Sequence, residues 1–124
     1  MSTNPFIDQI LFMAACGQKT QHADAKQAAM YFSLVEEEYN ELIDARTEIE
    51  RADAVIDMIV VLVGAGVSCG WNMQELWDEV LRSNMAKVDP VTGRVRRRSD
   101  GKILKPTGWT GPNLEAILYA SKQD

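Results

Sequence analysis

A chain of 124 residues holds one domain with a moderate core and not comfortably two, so any larger machinery must come from self-association. Its 46% hydrophobic and 25% charged residues are those of a folded protein, and a net charge of -5 argues against broad, sequence-independent binding to nucleic acid. A membrane span is excluded as well, because the longest apolar run, Met58 to Cys69, has about twelve residues where a bilayer needs about twenty.

The start of the chain has no basic leader, and its short apolar stretch is interrupted by Asp8 and Gln9, so a cytoplasmic protein is expected. Asn4 and Pro5 open a first predicted helix, Pro5 to Cys16, which Gly17 closes. Asp24 is the next cap. From Ala25 to about Ala45 there is neither Gly nor Pro, and Met30, Tyr31, Leu34, Val35, Tyr39, Leu42 and Ile43 mark a long amphipathic second helix. The third helix starts at Thr47 or Glu48, carries Ile49, Ala52, Ile56, Ile59, Val60 and Val63, and stops before Gly70. Its second half is apolar on every side, which in so short a chain points to burial in a subunit interface, with Gly64, Ala65 and Gly66 permitting close helix approach there. Asn72 and Glu75 form a capping box for a fourth helix through Leu76, Trp77, Val80 and Leu81 to about Lys87. Cys16 and Cys69 lie in apolar helical stretches without Cys or His at zinc spacing, and read as reduced core residues.

Beyond Asp89-Pro90 the chain turns basic and poor in helix formers. The Asp100-Gly101 pair between RVRRRS and KILK predicts a small β-hairpin within Val91 to Lys105. Pro106, Gly108, Gly111 and Pro112 make a loop around Trp109, and Asn113 to Tyr119 form a last short helix. The expected fold is therefore all-α, a single domain of four main helices over residues 1–88 with a basic hairpin and C-terminal tail over residues 89–124.

The chemistry sits on the second and third helices. Extending the apolar stripe of Leu34 and Val35 by one turn lands on Glu38, and a further turn lands on Glu41, so two carboxylates occupy a face where the pattern calls for hydrophobes. Asp53 and Asp57 repeat the anomaly on the third helix, Asp57 standing between Ile56 and the long apolar run. An unpartnered carboxylate there would cost several kcal/mol or take up a proton. Because that helix offers no base beyond Arg51, the four acids are expected to face one another and share a divalent metal, magnesium or alternatively manganese. A diiron bundle of the Glu-x-x-His kind fails, since the one histidine, His22, lies outside both helices. Arg82, Asn84 and Lys87 at the end of the fourth helix are candidates to grip a polyphosphate beside such a metal, while the Arg94–Arg98 run reads as a solvated hairpin. Trp71 and Trp77 read as packing residues; Trp109, on its Gly/Pro-rich loop, divides between packing and stacking on a nucleobase.

Glu37-Glu38-x-x-Glu41 followed by Asp53-x-x-x-Asp57 and MIVVLVGAG resembles the all-α nucleoside triphosphate pyrophosphohydrolases, the group of MazG, dimeric dUTPases and phosphoribosyl-ATP pyrophosphohydrolase. The stretch LRSNMAKVDPVTGRVRRRSDGKILKPTGW looks like the phosphoribosyl-ATP-pyrophosphohydrolase-like or Cof-like branch, and the likeness spans roughly Val35 to Leu118. It implies that Glu38, Glu41 and Asp57 are metal ligands, with Asp53 where relatives carry the Glu of a Glu-x-x-Asp motif, and that Asn84 and Lys87 lie near the nucleotide. This chain departs from that spacing, offering Asp53 and Asp57 at four or Glu50 and Asp53 at three; the former is preferred because the burial of Asp57 has no other explanation. The implied reaction is magnesium-dependent cleavage of a nucleoside triphosphate between its α and β phosphates, with Glu37 or Glu41 accepting the proton of the attacking water. A dUTPase or a phosphoribosyl-ATP hydrolase is the narrower alternative, and a non-catalytic helical interaction module the alternative of another class. The resemblance also implies a homodimer or homotetramer around a four-helix core.

Overall fold

Three local signals start the first three helices. In the computed structural model, which describes residues 4–123, Asn4 accepts from the amides of Phe6 and Ile7, Asp24 from that of Gln27 and Thr47 from that of Glu50. They open α1 (Pro5–Ala15), α2 (Ala25–Asp44) and α3 (Glu48–Ser68); α4 (Met73–Met85) and α5 (Leu114–Gln123) follow. Among the described residues the chain is all-α with no strand, and no single helix is long and apolar enough to cross a membrane.

Contacts divide the chain into two compact units, residues up to Met73 and residues from Gln74 onward. In the first, the short connection Ala45–Thr47 folds α3 back along α2, and this helical hairpin is the dominant contact between elements, with α1 lying on α3. The core gathers Met13, Tyr31, Val61, Val63, Ala65 and Val67, with Phe6, Ile10, Leu34, Val35 and Met73 packed on it. Tyr31 is 5% exposed, its phenol pushed up by burial, and its hydroxyl donates to Gln18 Oε1.

The glycines expected to serve a contact between subunits serve this chain's own packing. A Cβ on Gly64 would be driven into the Tyr31 ring, and one on Gly66 into the Met73 thioether. They are what lets α2 and the Met73 side chain approach α3 so closely. The other apolar side of α3 stays uncovered, with Ile56 at 59% and Ile59 and Leu62 at 46% exposure. Two packing expectations are corrected. Cys16 is exposed, because it caps α1 beyond the last turn that faces the core, and Cys69 is only partly buried, its thiol pushed up by desolvation; both are free. Trp71 and Trp77, expected in the core or in an interface, are exposed in the single chain, so neither belongs to its core.

In the second unit the expected β-hairpin is not formed. One isolated antiparallel bridge joins Arg97 to Ile103 around the Asp100-Gly101 turn, and another joins Val88 to Val95, but no strand develops from either. The reason is physical: Arg94 to Arg98 offer a single apolar residue, both arms stay exposed, and an isolated two-stranded pair is marginal in water. Arg98 instead folds onto Asp100, two residues away. The last helix starts at Leu114 and is longer than expected, with Asn113 Oδ1 accepting from the Ala116 amide at its first turn.

Gly64→Ala is expected to lower stability to urea by about 1–3 kcal/mol, since the rigid Tyr31 ring, tethered through its hydroxyl, cannot yield as a flexible side chain does. Gly66→Ala, which meets only the far end of Met73, is expected to cost less. Equal midpoints for the two variants would contradict this account.

Candidate functional site

The hairpin of α2 and α3 is apolar at one end and acidic at the other. Leu34 and Val35 pack on the core from α2, and the next turn of the same face carries Glu38. Its Oε2 atom is shut off from water and has no hydrogen-bond partner. Burial, then the charge of Glu41 and a hydrogen bond shared with it, then the charges of Asp57 and Asp53, hold the Glu38 carboxyl above the usual carboxylate range. The structure thus gathers these four acids around the hairpin. Glu38 and Asp57 are half-buried, whereas Glu41 and Asp53 reach solvent; Glu37 is exposed on α2.

Beside Glu41 and Asp53 lies a cleft of about 300 Å³, lined by Glu41, Asp44, Ala45, Glu50, Asp53 and Ala54. Asp44 was absent from the sequence reasoning although it continues the Glu38, Glu41 register by one more step along α2. Glu50 has a task of its own: its Oε2 accepts from the Arg46 amide at 2.9 Å, and its amide donates to Thr47 Oγ1 at 3.1 Å, closing the first turn of α3. Of the two candidate pairings with Asp53, the one through Asp57 therefore faces Glu38, and the one through Glu50 is engaged in capping.

These residues suit an oxygen-preferring divalent cation. A buried carboxylate oxygen lacks any donor, and the acids around it offer further oxygen donors of the kind such a cation takes. Among the described residues no three acids already stand close enough around one point to hold an ion as they are. Chelation would thus be completed by rotation of the exposed Glu41 and Asp53 side chains toward Glu38 and Asp57.

Arg82, Asn84, Lys87 and Trp109 belong to the second unit. The Arg82 guanidinium is held by Glu79, Nε to Oε1 at 2.6 Å and Nη2 to Oε2 at 3.1 Å, and also reaches the Gly111 carbonyl at 3.4 Å. Glu79 Oε2 accepts in addition from the Asn113 amide at 2.8 Å. The Arg82 hydrogen bonds, and after them that amide, hold the Glu79 carboxyl down to about 2. Arg82 and Glu79 thereby staple the Gly/Pro loop to α4, a role not assigned to either from the sequence, although their three-residue spacing on a helix is the pairing signal. Lys87 Nζ donates to Asn84 Oδ1 at 3.2 Å and lies 5.2 Å from the Trp109 ring centroid. Lys105 Nζ, from the basic segment, lies 4.7 Å from the same centroid. The Trp109 indole donates through Nε1 to the Ser83 carbonyl at 2.7 Å, a bond between residues far apart in the chain that no local pattern signals.

The family model for phosphoribosyl-ATP pyrophosphohydrolase matches residues 10–84. The matched span runs from within α1 to the last turn of α4, so it contains every acid of the hairpin site and stops before Lys87, Lys105 and Trp109. No curated protein matches the sequence.

The depressed Glu79 carboxyl fixes the sign of a pH dependence. Because its folded value lies below the ordinary 4.5, the stapling contribution is fully present above pH 4.5 and is lost as pH falls toward about 2. Asn113 is expected to keep a hydrogen-exchange protection factor at pH 5 that drops by roughly 10-fold in Glu79→Gln, the loss of a charge-assisted hydrogen bond. Protection unchanged in the variant would show that the loop is held by something else.

Proposed function

The chain belongs to the phosphoribosyl-ATP pyrophosphohydrolase family, within the all-α NTP pyrophosphohydrolases, and we propose that it cleaves a nucleoside or deoxynucleoside triphosphate between the α and β phosphates, releasing a monophosphate and pyrophosphate. At the coarser level it is a pyrophosphohydrolase acting on a nucleotide phosphoanhydride, a hydrolase of phosphoric anhydrides. The observation that carries the finer reading is the partnerless, buried Glu38 oxygen facing three further acids, an arrangement with little use in a merely structural helix pair.

Glu38, Glu41, Asp53 and Asp57 would hold magnesium, and manganese would satisfy the same oxygen donors. When bound, the ion supplies charge neutralisation on the phosphates. Glu38 and Asp57, half-buried on facing helices, would supply the inner part of the site, and the exposed Glu41 and Asp53 would complete it. Glu41 lines the cleft and would accept a proton from a water there, with Glu37, exposed one turn earlier on α2, as the alternative base. Asn84 and Lys87 provide an amide and an ammonium suited to phosphate oxygens.

A second reading, phosphoribosyl-ATP as the substrate, is favoured by the description of the matching family. Against narrowing to it, the match ends at residue 84, before the basic segment and the tryptophan loop. Pyrophosphate release measured with magnesium across the ribo- and deoxyribonucleoside triphosphates and phosphoribosyl-ATP separates the readings. On the best substrate, Glu38→Gln is expected to lower kcat/KM by at least ~100-fold. Undiminished turnover in that variant overturns the proposal.

Assembly is part of the same proposal: a second copy of the chain covers the apolar groove of about 430 Å³ between α1 and α3, which Phe12, Ile56 and Ile59 line. Phe12 is 62% exposed within the single chain. The protein is expected to sediment as a dimer or tetramer, and Ile59→Glu as a monomer. A monomeric parent at tens of micromolar would remove this part.

A further inference from the structure

Six of the thirteen lysines and arginines of the chain fall within residues 94–105, with one of its eighteen acids. The backbone decides how they are displayed. The run Arg94–Arg98 is tied on both sides: the Arg94 carbonyl accepts from the Asp89 amide, the Arg96 carbonyl accepts from the Leu104 amide, and the Arg98 amide donates to the Lys102 carbonyl, each at 2.8 Å. Antiparallel bridges join Val95 to Val88 and Arg97 to Ile103. Side chains of such an extended run leave alternately to opposite sides, and residues paired across it share a side. Val95 and Arg97 therefore go with Val88 and Ile103, whereas Arg94, Arg96 and Arg98 go the other way, together with Lys102 opposite Arg98. Val88 and Val95 are half-buried; Arg94, Arg96, Arg98 and Lys102 are exposed.

The nearby acids are already used. Asp100 holds Arg98, and the Asp89 carboxylate accepts from the amides of Val91 and Thr92. Among the described residues no ion pair neutralises Arg94, Arg96 or Lys102. Arg97 is unpaired too, but it lies on the other side of the run, which makes it an internal control. Two residues of extended chain span about 6.6 Å, so positions 94, 96 and 98 form a row of about 13 Å, with Lys102 beside its end. Cations at that step follow the successive phosphates of an extended nucleic-acid strand, and the planar guanidinium fork matches two phosphate oxygens at once. An acidic peptide recognised by strand addition needs an open backbone edge, and both edges of Arg94–Arg98 are taken. A duplex presents phosphates across a broad front, where a net charge of -5 opposes it; one strand needs only the row.

We infer that Arg94, Arg96 and Lys102 form a contact surface for the phosphodiester backbone of single-stranded nucleic acid. The surface lies wholly within the second unit and stands independently of the hydrolytic reading.

Fluorescence anisotropy of the full-length protein with labelled oligothymidylate and oligouridylate of about twelve nucleotides, over a range of salt, is the test. Binding is expected for both, its log affinity falling against log salt with a slope of about -2, three phosphates at about 0.7 each. Arg96→Gln is expected to weaken binding roughly 5-fold and to flatten that slope by about 0.7, whereas Arg97→Gln, the same change on the opposite side, stays within about twofold of the parent. Triphosphate hydrolysis in Arg96→Gln should match the parent, and circular dichroism reports that both variants are folded. Absence of binding at about 50 mM salt overturns the inference. So do equal losses in the two variants, the mark of diffuse charge, and polyglutamate or phosphatidylserine vesicles that bind as well as the strand. Displacement of the strand by a nucleoside triphosphate, with no effect of Arg96→Gln, also overturns it, because the strand would then be held as a substrate is. Strand binding through Arg96 in a protein that hydrolyses no triphosphate would sink the proposed function and leave this inference standing.

Discussion

A carboxylate oxygen with neither water nor a donor is an expensive thing to keep, and the α2–α3 hairpin is built around one. Desolvation of that oxygen, together with the neighbouring acids Glu41, Asp57 and Asp53, disfavours the charged form, which is why the Glu38 carboxyl is held in a range where protonation is easier. What makes the cost bearable is the other end of the same hairpin. There Tyr31 lies directly on Gly64, and Val61, Val63, Ala65 and Val67 are buried around them. Fully buried apolar side chains each contribute about 1.5–3 kcal/mol, so a few of them offset one stranded acid. The apolar end clamps the helices; the clamp in turn fixes the distance at which the acids face one another.

How much of this was legible follows from the range over which each feature is decided. Helix starts are decided within four residues, so Asn4, Asp24 and Thr47 could be read as caps from the sequence and are caps in the structure. The inward position of Glu38 was legible for a similar reason, since it follows from one helical turn beyond Leu34 and Val35. Features decided across the chain were not legible. That Gly64 would receive the Tyr31 ring, that Trp109 would bond to Ser83 and that Glu79 would take the Asn113 amide all need partners far away in sequence. The missing β-hairpin is a different kind of miss. The turn signal at Asp100-Gly101 was sound and the turn exists, but a turn does not make strands when neither arm has a face to bury.

The spacing of acids on α3 also shows what a pattern can and cannot decide. Counted along the chain, Glu50 and Asp53 stand three apart, the interval of the Glu-x-x-Asp motif that the resemblance implies, and Asp53 and Asp57 stand four apart. In space, Glu50 is turned toward the start of its own helix, where its carboxylate accepts the Arg46 amide. Asp57 is the one whose charge is felt by Glu38. A residue that closes a helix end is already paired, whereas one that faces an unpartnered acid is not, and a cation placed between the latter relieves both. The charge of Asp57 thus bears on Glu38, while Glu50 closes the helix start and lines the cleft beside Glu41 and Asp53.

The division of the chain into two units bears on substrate identity. The acids that would handle a phosphoanhydride lie in the first unit and inside the family match; the match ends at residue 84, and most of the second unit lies beyond it. Hydrolysis of an anhydride depends on the phosphates, which all candidate substrates share, so the matched part can specify the reaction without specifying the base or sugar. Discrimination needs groups that contact the rest of the molecule. In the second unit the conspicuous aromatic, Trp109, has its indole N–H on the Ser83 carbonyl and the ammonium groups of Lys87 and Lys105 near its ring. The matched part therefore accounts for chemistry shared by every phosphoanhydride substrate, and selectivity among them rests on groups that touch the base and sugar.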